Sequence, residues 1–68
     1  MIELKFHREL YAGESVDEAI KTYDRFATIE RAEEDEYWVV KIDGGRAELV
    51  AKELGNFALG ATIKRRGA

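Results

Sequence analysis

The chain has no cysteine and no proline, and only one histidine and one serine in 68 residues. Without cysteine there is neither a disulfide nor a thiolate-bound metal to hold the fold together. A single histidine leaves any transition-metal site to carboxylates, and these lack a diagnostic spacing, so neither a metal nor another cofactor is expected. The absence of proline removes rigid linkers and polyproline segments. No apolar run approaches the ~20 residues of a membrane span, and no signal-peptide pattern is visible, so the expected setting is cytoplasmic. A net charge of −3 argues against general nucleic-acid binding while allowing a local basic patch.

What is present fits one domain, residues 1–68, close to the lower size at which a chain can stabilise itself by burial. Ordering this many residues costs on the order of 100 kcal/mol, at roughly 1.5 kcal/mol each. About 4,000 Å² of apolar burial at ~25 cal/mol/Å² only just offsets that. A homodimer that buries further surface is therefore open on energetic grounds alone.

Ile2, Leu4 and Phe6 alternate with Glu3, Lys5 and His7, the period of a half-buried strand. Ala12-Gly13-Glu14 reads as a turn. Ser15-Val16-Asp17-Glu18 then has the form of a capping box, with the Ser15 hydroxyl as N-cap. Val16, Ala19, Ile20, Tyr23, Phe26 and Ala27 continue at helical spacing and predict one apolar stripe. Residues 28–32 suit an edge strand, and the acidic run Glu33-Glu34-Asp35-Glu36 a solvated hairpin loop. Tyr37-Trp38-Val39-Val40-Lys41-Ile42 is the strongest strand signal, with Trp38, Val40 and Ile42 expected to face the helices. Asp43-Gly44-Gly45 turns the chain into a long final helix.

In that helix Ala47, Val50, Ala51, Leu54, Phe57, Ala58 and Ala61 form the stripe expected in the core. Leu49, Asn56, Leu59 and Ile63 fall outside it and are the candidate partner-binding or self-association surface. Gly55 and Gly60 allow either a kink, which would fold Leu59 and Ile63 back into the core, or close approach of another backbone. The expected architecture is α+β: a β-α-β-β-α two-layer sandwich, with a small, mainly antiparallel sheet and both helices on one face.

Chemistry is harder to assemble. No nucleophile pairs persuasively with a base, since Ser15 is explained as a cap and His7 as a surface or sheet-edge side chain. Lys64, Arg65 and Arg66 complement the negative end of the last helix. The alternative for them is an anion or nucleic-acid contact, aided by the aromatic strand. That rival reading makes the chain a small nucleic-acid or nucleotide binder, although the motif of RNA-binding sheets is absent.

Three segments in order, HRELY leading into EAIKTYDRF, then YWVVKI, then ELGNF running to Arg65, resemble the small HxsD-like proteins of the His-Xaa-Ser peptide-maturation system. The resemblance implies a non-catalytic accessory protein that works beside radical-SAM enzymes on a precursor peptide, and it supplies no catalytic residues. The residues and the resemblance lead to the same expectation. The chain is an adaptor that binds a protein or peptide partner, and not an enzyme.

Overall fold

The structure is a computed structural model that describes residues 1–67, with side chains described through residue 65. Its elements follow the order β1 (Ile2–His7), α1 (Gly13–Tyr23), β2 (Thr28–Glu33), β3 (Tyr37–Asp43) and α2 (Ala47–Gly67). The three strands form one sheet in the order β1-β3-β2, and both pairings are antiparallel. β1 and β2 therefore run parallel to each other on either side of β3. Helix α1 makes the crossover between them, as in a split βαβ unit.

β3 takes the centre because its composition suits burial on both sides. Val40 and Ile42 are fully buried towards the helices. Val39, on the opposite face, is only 1% exposed even though no helix covers it. Its cross-strand neighbours are Lys5 and Ala32. The aliphatic stem of a lysine covers apolar surface while its ammonium stays in water. β2 carries the polar composition expected of an edge.

The two helices form one layer over the sheet and run antiparallel. Phe57 of α2 meets Tyr23 edge-on, with ring centroids 6.1 Å apart, while Arg65 near the far end of α2 reaches the first half of α1. α2 packs over β1 and β3. α1 lies towards β2, to which Asp17 is tied by Arg31 at 2.7 Å. Val16, Ala19, Ala47, Val50, Ala51, Leu54 and Ala58 supply the helical side of the core, and Phe6, Val40 and Ile42 the sheet side.

Two local expectations are overturned, and one open alternative is decided. The first concerns the start of α1, which begins at Gly13 with Ala12 as N-cap and no side-chain capping bond. Ser15 is not the cap; it lies inside the first turn and is fully buried. The reason is Trp38, whose Nε1 donates to the Tyr11 carbonyl at 3.0 Å and whose ring lies 3.2 Å from where a Gly13 Cβ would stand. Only a residue without a side chain fits there comfortably, and the helix begins three residues early. The second is the helix end. α1 stops at Tyr23, and a turn carries Phe26 out to solvent instead of into the stripe. The third point is the alternative left open at Gly55 and Gly60: the helix runs unbroken from Ala47 to Gly67, and Leu59 and Ile63 stay exposed. At the β3–α2 junction Gly44 has φ +140°, a conformation open to glycine and strained for other residues.

Leu54 is fully buried between the sheet and α1. Leu54→Ala is expected to lower unfolding stability by about 2–5 kcal/mol, through lost transfer energy and the cavity left behind. Urea titration of the variant should show a lower midpoint at unchanged slope; an unshifted midpoint would remove Leu54 from the core.

Candidate interaction surface

Helical geometry decides which part of α2 is available. At ~100° per residue, the buried positions Ala47, Val50, Ala51, Leu54 and Ala58 cluster on one side. Leu49, Asn56, Leu59 and Ile63 cluster on the opposite side. The structure leaves Leu49, Leu59 and Ile63 exposed by 52%, 46% and 59%, and Asn56 is exposed among them. From Leu49 to Ile63 the stripe is ~21 Å long at 1.5 Å per residue. α2 runs unbroken through Gly55 and Gly60, and Leu59 and Ile63 remain outside.

At its N-terminal end this stripe meets a second apolar feature. Tyr23, Phe26, Arg46, Leu49, Val50 and Glu53 line a mostly apolar cleft of about 190 Å³ between the end of α1 and the start of α2. Phe26, 58% exposed, forms one wall. Sequence reasoning missed it as a surface residue, because its spacing of three from Tyr23 imitates the helical stripe. Asp24 and Arg25, two charged residues beside it, were the available hint that the helix had ended.

The basic cluster at the end of α2 is used differently from a free anion site. Arg65 Nε donates to Ser15 Oγ at 3.0 Å, and its guanidinium lies 3.2 Å from Glu18 and 3.7 Å from Glu14. Arg65 thus ties the end of α2 to the start of α1 and satisfies the buried Ser15 hydroxyl. Lys64 is exposed beside it, and the Arg66 side chain lies outside the described residues. The aromatic strand is also engaged. Trp38 has the Arg8 and Arg31 guanidinium carbons 4.4 and 4.7 Å from its ring, so it is not an open stacking platform. Tyr37, on the uncovered face, packs edge-on against His7. His7 Nδ1 accepts the Glu9 N–H at 3.2 Å, which makes it part of the turn that closes β1.

Among the described residues, no group of three or more histidine, aspartate or glutamate side chains is placed to hold a metal, and no helix is long and apolar enough to cross a membrane. Compared with family models, with curated proteins and with solved structures, the chain matches none.

The Ser15–Arg65 bond makes a quantitative prediction. Ser15→Ala leaves one Arg65 donor without its buried acceptor and is expected to cost about 1 kcal/mol, at the low end for a bond to a charged group because Arg65 is partly exposed. In a double-mutant cycle with Arg65→Ala, the two losses should be clearly less than additive. Additive losses would mean that Ser15 acts on its own helix instead.

Proposed function

We propose that this domain is a non-catalytic adaptor that binds a protein or peptide partner through the outer face of α2. The observation that carries this reading is the line of Leu49, Leu59 and Ile63 on the side of α2 opposite the core. Exposed apolar side chains scattered singly need no explanation, whereas aligned ones are commonly interaction sites. The cleft beside Leu49 extends the surface, with Phe26 and Tyr23 able to receive an apolar anchor from the partner. Asn56 in the middle supplies a hydrogen-bonding group that helps set the register of whatever packs there.

The resemblance to HxsD-like proteins suggests the setting: a partner drawn from a peptide-maturation system, either a precursor peptide or a radical-SAM enzyme. The rival reading, a nucleic-acid or nucleotide binder, loses support from the geometry. Arg65 is committed to Ser15 and Glu18, and Trp38 to Arg8 and Arg31.

Candidate partners are proteins and peptides encoded beside this chain. Titration of the purified pair by calorimetry should give saturable binding that the double variant Leu49→Glu, Ile63→Glu weakens by at least about tenfold. Both positions are exposed, so the melting temperature should change little. Binding unaffected by the double variant would place the partner elsewhere. Binding to oligonucleotides that falls steeply with salt would favour the rival reading.

A further inference from the structure

Among the described residues, β1 and β2 each have only one neighbour in the sheet, so each leaves a row of backbone groups unpaired. The two edges are not equivalent. The Arg8 N–H donates to the Glu36 carbonyl at 2.9 Å and continues the β1–β3 register. Pairing in an antiparallel ladder alternates along the strand. The even-numbered residues of β1 therefore turn their backbone groups to β3, and Glu3, Lys5 and His7 turn theirs to the free edge.

Consider β1 beside a second β1 in antiparallel orientation. Only registers that place outward-turned residues opposite one another can form a ladder. Among these, the one centred on Leu4 sets Glu3 opposite Lys5 of the other copy, and Lys5 opposite Glu3. On the other face it sets Leu4 against Leu4 and Ile2 against Phe6. A shift to the next permitted register sets Lys5 against Lys5, or Glu3 against Glu3. The Leu4-centred register is thus self-complementary in charge, in apolar facing and in backbone pairing, as a two-fold interface requires. On β2, registers centred on Glu30 or Arg31 set like charges together. The one centred on Ala32 sets Arg31 opposite Glu33 but offers only Ala32 against Ala32 between them, with no apolar pairs to match Leu4 on Leu4 and Ile2 on Phe6.

The surroundings allow the addition. α2 overlies β1, and Gly55 on its flank away from α1 has nothing within 4 Å of where a Cβ would stand. Ile2 and Leu4 are half-buried, with apolar surface left to cover. Lys5 now lies 3.3 Å from Glu34, but both side chains are about half exposed, so Lys5 can turn to a new partner at little cost.

We propose that the free edge of β1 is a homodimer interface, joining two copies through antiparallel β1 strands centred on Leu4 into one six-stranded sheet. This site is separate from the outer face of α2, so the partner-binding surface stays open in the dimer.

The absence of cysteine provides a direct test. Leu4→Cys places two thiols at a non-hydrogen-bonded pair across the two-fold, where Cα atoms stand about 4.5 Å apart, within disulfide reach. Mild oxidation should cross-link this variant rapidly, while a control variant on the other edge, Ala32→Cys, should not. Charge variants supply the second arm, read by sedimentation equilibrium with circular dichroism to confirm the fold. Glu3→Lys and Lys5→Glu should each weaken the dimer by about tenfold or more. Mixed together they should restore association, since one chain then carries lysines at both positions and the other glutamates. A wild-type chain that stays monomeric at millimolar concentration overturns the proposal. So does a dimer that ignores both charge variants and is lost instead in Leu49→Glu, Ile63→Glu, which would assign self-association to α2.

Discussion

β3 is hydrogen-bonded on both sides, and among the described residues neither edge strand has any other partner in the sheet. That one strand therefore holds the sheet together. Its residues answer the demand: Val39, Val40 and Ile42 are all but inaccessible on their two opposite faces. Tyr37 and Trp38 extend it with aromatic contacts on either side. With β3 in the middle, β1 and β2 must run parallel, and the connection between them must cross over the sheet. Helix α1 occupies that crossover, and its position dictates where α2 can lie.

The consequences reach the helix layer through Trp38. Its ring occupies the space beside Gly13, and its indole N–H satisfies the Tyr11 carbonyl. These contacts set the start of α1 and bring Ser15 into the interior. A buried hydroxyl needs a partner, and Arg65 supplies it from the end of α2. The antiparallel helix pair is thus closed at one end by a charge-assisted hydrogen bond. Further along, the Tyr23–Phe57 ring contact joins the same two helices.

A domain with one sheet and one layer of helices leaves the other face of the sheet, its two edges and the outer sides of the helices unsheltered. The bare face of the sheet is made safe by Glu3, Lys5, Lys41 and Glu30, whose alternating charges keep it solvated. The outer side of α2 is not treated this way, since three large aliphatic residues line it. The free edge of β1 has the self-complementary order of apolar and charged residues that its β2 counterpart lacks. The adaptor reading and the β1 dimer arise from these two separate features.

Much of this was legible in the sequence, where the signal is local and periodic. Alternation marked β1, the aromatic and β-branched run marked β3, and a 3.6-residue period separated the buried side of α2 from Leu49, Leu59 and Ile63. These features depend on how neighbouring residues point, which a strand or helix dictates by itself. What the tertiary structure decided depends on contacts between residues far apart in the chain. Ser15 has the local form of a cap, yet Trp38, 23 residues away, shifts the helix start and Arg65 claims the hydroxyl. Phe26 has helical spacing, yet the chain must leave the helix after Tyr23 to enter β2. The strand order β1-β3-β2 follows from the same long-range requirement. It puts the most apolar strand between the other two and leaves β1 at an edge, a position that alternation along one strand cannot specify.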